Sequence, residues 1–120
     1  MNNPTPRLLN IGCGRQAHPD WVNLDCVGLV PGVIVHGART GLSFSDAAFD
    51  VVYHSHTLEH LRHDAAPAFL RECHRVLRPS GILRVVVPDL EQICRLYLEN
   101  LSAAEAGDAK AGCRYKWDLT

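Results

Sequence analysis

The stretch Leu8-Leu9-Asn10-Ile11-Gly12-Cys13-Gly14, followed closely by Trp21-Val22-Asn23-Leu24-Asp25, limits what this chain can fold into more than any other feature. A brief apolar run ending in two glycines is how a buried parallel strand enters a turn whose backbone lies close to a ligand. The second run ends in a carboxylate. In open α/β sheets ligands sit at the carboxyl ends of the strands, so the glycine turn and Asp25 are expected to flank one crevice. An acidic side chain there accepts hydrogen bonds from ribose hydroxyls. The third glycine of the dinucleotide fingerprint is missing, since Arg15 and Gln16 follow Gly14. Asp25 also comes sooner than the roughly 20 residues that separate that fingerprint from its ribose carboxylate. A nicotinamide or flavin dinucleotide is therefore disfavoured. On these residues alone, a nucleoside-containing ligand and a purely structural turn stand level.

Further along, Val33-Ile34-Val35 reads as a third strand, Phe49-Asp50-Val51-Val52-Tyr53 as a fourth and Ile82-Leu83-Arg84-Val85-Val86-Val87 as a fifth, closed by Pro88-Asp89. The connections from Gly14 to Trp21 and from Cys26 to Gly32 fall short of the dozen residues that a helical crossover needs, so irregular links are expected there. Gly37 to Ala48 reads as a rim loop anchored by Leu42 and Phe44. Asp64 is the expected N-cap of a helix carrying Ala65, Phe69, Leu70, Cys73, Val76 and Leu77 at helical spacing. Arg78-Pro79-Ser80-Gly81 is expected to stop it, with Gly81 free to take positive φ. Leu90, Ile93, Leu96, Tyr97 and Leu101 predict a last amphipathic helix that fades at Ala106-Gly107, and Tyr115 and Trp117 stand as anchors in the polar tail.

The 120 residues are read as one domain, 1–120, small for a doubly wound sheet. A net charge of -1 with 47% hydrophobic residues exerts no global pull toward nucleic acid or a membrane surface. No apolar run approaches the ~20 residues of a membrane span. Met1 to Pro6 has no apolar signal core and reads as a disordered lead-in, so a cytoplasmic protein is expected. Cys13, Cys26, Cys73, Cys94 and Cys113 form no Cys-x-x-Cys pair and read as reduced thiols.

Together, Asn10-Ile11-Gly12-Cys13-Gly14, Asn23-Leu24-Asp25, Phe49 to Tyr53 leading into His56-Thr57-Leu58-Glu59-His60-Leu61, Arg75-Val76-Leu77-Arg78-Pro79-Ser80-Gly81 and Val87-Pro88-Asp89-Leu90 follow the order and spacing of a known family. The chain resembles the S-adenosylmethionine-dependent methyltransferases, in particular the small bacterial branch called type 11, from Leu8 to Leu90. The resemblance implies an α/β, Rossmann-like, parallel open sheet of order 3-2-1-4-5. It implies S-adenosylmethionine as cofactor, with Gly12, Cys13 and Gly14 against its methionine part, Asp25 on the ribose hydroxyls, and Ser55 and His56 bordering the methionyl end. Where the family commonly has an acidic residue for adenine, this chain has Gly37, so backbone at Gly37 and Ala38 is expected to serve. The family continues past its Lys-Trp segment, here Lys116-Trp117, into a helix and two more strands. This chain stops there, as a fragment or as a reduced form. Strand five is thus expected to be an apolar edge through which a homodimer forms.

Methyl transfer needs acceptor, methyl and sulfur held in line, and a base within reach when the acceptor is a hydroxyl. His56 and His60 are the catalytic candidates; each also has a structural reading, in which it bonds to backbone and fixes the loop, and for His60 that reading leads. Glu59 reads as a partner that orients a histidine or as a solvated charge, and His63 and His74 as surface residues. No metal is expected. The cluster His54, His56, His60 and His63 also admits a His-ligated metal hydrolase, against which stand a spacing one residue too long and Glu59 where aspartate is expected. A third reading is a short methyltransferase fold that binds without catalysing. With no basic stripe, the default acceptor is a small molecule rather than nucleic acid.

Overall fold

The computed structural model describes residues 5–111. Met1 to Pro4 of the lead-in, together with Cys113, Tyr115, Lys116 and Trp117, lie outside the described residues. The chain divides into one unit up to Val87 and a second from Pro88 onward. The first unit is a five-stranded sheet of β1 (Leu8–Ile11), β2 (Val22–Asp25), β3 (Val33–Val35), β4 (Phe49–Ser55) and β5 (Leu77–Val86), in the order β3-β2-β1-β4-β5. Every neighbouring pair is parallel, which is the arrangement that the family resemblance implied.

One helix, α1 (Ala66–Val76), supplies Phe69, Cys73 and Val76 to a core that contains Leu9, Ile11, Leu24, Phe49 and Val52. Leu9 and Ile11 of β1, Leu24 of β2 and Val52 of β4 enter this core from one face, as the period of a strand requires, and Phe49 joins them from before the register shift between β4 and β5. Asn10 and Asn23, one position out of phase, are nearly buried as a hydrogen-bonded pair. Asn10 Nδ2 donates to the Asn23 side-chain oxygen at 3.2 Å and to the Gln16 carbonyl at 3.1 Å. Asn23 Nδ2 donates to the carbonyls of His18 and Trp21. The link from β1 to β2 is thus an irregular chain whose backbone groups are satisfied by two amide side chains rather than by a helix.

The structure corrects two local expectations. Asp64 does not cap α1: its Oδ1 accepts from Arg62 Nε, and the N-cap position is Ala65, with Pro67 in the first turn, where a missing N–H is harmless. After α1 there is no clean stop before β5, because Leu77 already pairs with Phe49. β4 then advances two residues, to Val51, while β5 advances five, to Ile82, so Arg78–Gly81 form a bulge. Ser80, not Gly81, takes the positive φ, at 65°. Gly81 is needed for a different reason: a Cβ there would lie 2.8 Å from Leu77 Cδ2 and 2.9 Å from the Arg78 carbonyl oxygen.

Arg75 and Glu72 fasten α1 to the loop that runs from β3 to β4. Arg75 bonds both oxygens of Glu72, at 2.7 and 2.8 Å, and donates to the carbonyls of Leu42 and Phe44. The Leu42 amide closes the ring by donating to Glu72 at 2.7 Å. These bonds, Arg75 foremost, bring the Glu72 carboxyl down to about 2. A carboxyl lowered on folding stabilises the fold fully above its unfolded value near 4.5, and the contribution disappears as pH falls through about 2. Glu72→Gln is therefore expected to lower the melting temperature at pH 6 and to converge on the wild type as pH falls from 4.5 toward 2, a trend that calorimetric melts read directly.

The second unit contains α2 (Leu90–Glu105), capped by the Asp89 side chain, which accepts from the Gln92 amide at 3.1 Å. No described helix is long and apolar enough to cross a membrane.

Candidate active site

The carboxyl ends of β1, β2 and β4 open into a cleft of about 630 Å³, within the range of small-molecule sites. Ile11, Gly12, Leu24 and Asp25 form its floor, and Thr57, His56, His60 and Leu61 one side. The other side is Cys26 with His36, Gly37, Arg39 and Thr40, at the 3-10 turn Ala38–Thr40 that follows β3. That wall is braced by His36 Nε2, which donates to the Gly41 carbonyl at 2.6 Å, and by Thr40 Oγ1, which donates to the Gly37 carbonyl at 2.9 Å.

Asp25 is already engaged. Its Oδ2 accepts from the Gly14 amide at 2.8 Å and its Oδ1 from the Val27 amide at 3.1 Å. Burial pushes its carboxyl up, but the bonds from Gly14, Val27 and Cys26 outweigh this and leave it below its ordinary value. Asp25 therefore stays ionised, and each oxygen keeps acceptor capacity for a hydroxyl ligand. The same carboxylate ties the glycine turn to the end of β2. Gly12 extends that tie, donating to the Leu24 carbonyl at 2.7 Å. Gly12 has φ 69° and Thr57 lies directly over its Cα, so the backbone at this point has room for no side chain.

Of the residues singled out in the sequence, Gly12, Asp25, Gly37, His56 and His60 line the cleft. Cys13 is buried, and Cys13, Gly14 and Ser55 are outside the described lining. Burial raises the Cys13 thiol, and Asp25 raises it further, so it stays neutral. Ala38 opens the turn between Gly37 and Arg39. Cys26, His36, Arg39, Thr40, Thr57 and Leu61 complete the lining without having been anticipated; they lie on loops that carry no periodicity.

His56 is held in the left-handed region, at φ 52°, and its amide donates to the Val86 carbonyl at 3.0 Å. Its Nδ1 lies 3.3 Å from Glu59 Oε1. His54 has no place in the cleft: it is fully buried with its ring against Phe69, at 5.1 Å between centroids. Among the described residues no three His, Cys, Asp or Glu side chains gather as metal ligands.

Three comparisons bear on this cleft. The family model described as a methyltransferase domain matches residues 9–85. A protein of Mycolicibacterium smegmatis named as a probable S-adenosylmethionine-dependent methyltransferase is 43% identical over 56 residues, which cover 47% of this chain and 21% of that relative. The crystal structure of the YcgJ protein of Bacillus subtilis superposes with a TM-score of 0.54 at 20% identity, covering 77% of this chain and 52% of that one. The latter likeness is one of fold. The chain spans about half of that solved structure and about a fifth of the curated relative.

Proposed function

The chain belongs to the methyltransferase-domain family, and from that premise we propose that its cleft binds S-adenosylmethionine and serves methyl transfer to a small-molecule acceptor. The observation that carries this reading is the ionised Asp25 carboxylate at the end of β2, which lies on the cleft floor with Gly12 and is held there by the Gly14 amide. A vicinal diol is the ligand group that the free acceptor capacity of Asp25 suits. The bare backbone of Gly12, and of Gly14 behind it, suits close approach of an amino-acid moiety, with Cys13 contributing main chain. Gly37 and Ala38 offer backbone groups to a base, and Ser55 and His56 border the opposite end. When bound, the cofactor supplies a methyl group made electrophilic by its sulfonium. The protein's part is to hold the acceptor in line and to receive any proton that the acceptor must lose, for which His56 and His60 are the groups in the cleft.

Calorimetric titration with S-adenosylmethionine and S-adenosylhomocysteine tests the reading. One site per chain is expected, weakened roughly tenfold or more in Asp25→Ala, the loss of one charge-assisted hydrogen bond. Absence of heat from the folded protein with both ligands would overturn it. The same samples test assembly. β5 is one of the two outer strands of the sheet, with Ile82 and Val85 exposed, and light scattering is expected to return the mass of two chains paired along that edge.

A further inference from the structure

We propose that Glu59 is a positioning residue that fixes the proton of His56 on Nδ1 and leaves Nε2 as a base toward the cleft, for an acceptor that reacts through a hydroxyl; this rests on the methyl-transfer reading above. Three observations converge on it. His56 lines the cleft, while its backbone sits at φ 52°, a conformation that costs a non-glycine residue of this kind free energy and persists only where the surroundings enforce it. The enforcing contact is the bond from its amide to Val86 at the end of β5. The 3-10 turn Leu58–His60 then brings Glu59 back onto the ring, with Oε1 3.3 Å from Nδ1 and the carboxylate only 26% exposed.

Carboxylate beside Nδ1 is the arrangement that sets an imidazole's tautomer and stabilises the imidazolium it becomes. The ring nitrogen that remains is Nε2. Titratable or charged groups on the other walls are His60 on the same turn, Cys26, His36 and Arg39 across the cleft and Asp25 on the floor; Glu59 is the group paired with the His56 ring. A contact of 3.3 Å is long for a finished hydrogen bond and tightens when a charge forms on the ring.

This dyad selects among acceptors. A carboxylate or thiolate is already an anion, and a neutral amine attacks through a free lone pair; a hydroxyl gains a strong nucleophile only as its proton leaves. In the balanced step the hydroxyl oxygen forms a C–O bond to the methyl carbon of the sulfonium donor, the C–S electron pair stays on sulfur, and the O–H proton passes to His56 Nε2. Glu59 remains ionised throughout.

The test reads the ring nitrogens of His56 by long-range proton–nitrogen correlation in the protein alone, above the pH at which the histidines are charged. His56→Asn, which tolerates the left-handed backbone, assigns the signals. The expected result is a predominantly Nδ1–H tautomer in the wild type that inverts to predominantly Nε2–H in Glu59→Ala. A wild-type ring carrying its proton on Nε2, or one unaffected by Glu59→Ala, overturns the proposal whether or not cofactor binds. The wild-type spectrum alone decides this if the alanine variant does not fold. An Nδ1–H tautomer in a protein that gives no heat with S-adenosylmethionine or S-adenosylhomocysteine overturns the base role instead, and with it the methyl-transfer reading, leaving the dyad as a loop brace.

Discussion

Gly12→Ala is expected to cost about 2–4 kcal/mol of stability and to weaken S-adenosylmethionine binding by roughly tenfold or more. Two separate effects add. The φ of 69° places an L-residue in the left-handed region, a penalty of about 1–2 kcal/mol. A Cβ at this position would also collide with Thr57 Oγ1, and with the hydroxyl turned away it would still stand 3.3 Å from Thr57 Cβ, so the loop after β4 must give as well. Gly14→Ala isolates the first effect, because its φ is 52° but a Cβ there meets nothing within 4 Å. The double variant Gly12→Ala/Thr57→Ala isolates the second. Urea melts of the wild type, Gly12→Ala, Thr57→Ala and the double variant form a cycle in which the double variant is expected to recover the overlap and not the backbone strain. Equal losses in Gly12→Ala and Gly14→Ala would show that Thr57 does not close the turn.

The strands were legible because a parallel sheet covered by a helix demands short apolar runs, and four of the five runs sit where the residues predict them. The fifth begins earlier, at Leu77, since a bulge has no hydrophobic period and Arg78-Pro79-Ser80-Gly81 is equally the composition of a turn. Asp64 looked like a cap by residue type alone; which residue caps depends on where Arg62 and the loop before it lead the chain. In the site, Gly12 and Asp25 were legible because strand ends and ligand crevices coincide in this architecture. The wall of His36, Arg39 and Thr40 was not, because its position depends on Glu72 and Arg75 gripping Leu42 and Phe44 some 30 residues away in sequence. His54 carried a signal that spacing to His56 obscured. It has the same strand parity as buried Val52, which turns it inward, away from the cleft.

His54→Leu is expected to raise stability by about 1–3 kcal/mol near neutral pH and by more in mild acid. His54 is fully buried and neither ring nitrogen finds a hydrogen-bond partner among the described residues. Leucine is similar in volume, keeps an apolar contact with Phe69 and removes two polar atoms that lost their water on folding. The acid dependence follows from the same burial, which lowers the folded pKa of His54 below 6.5 against a smaller opposing pull from Glu59. The unfolded chain then binds a proton that the folded chain refuses. Stability due to a neutral His54 is complete above pH 6.5 and lost as pH falls toward the folded value, by at most about 1.4 kcal/mol per pH unit for one proton. The difference between variant and wild type should therefore widen from pH 7 to pH 5, while cofactor binding stays, because the ring touches the core and not the cleft. Chemical denaturation at pH 7, 6 and 5 measures it; a variant less stable than the wild type at every pH would mean that the His54 nitrogens do have a partner whose loss leucine cannot repair.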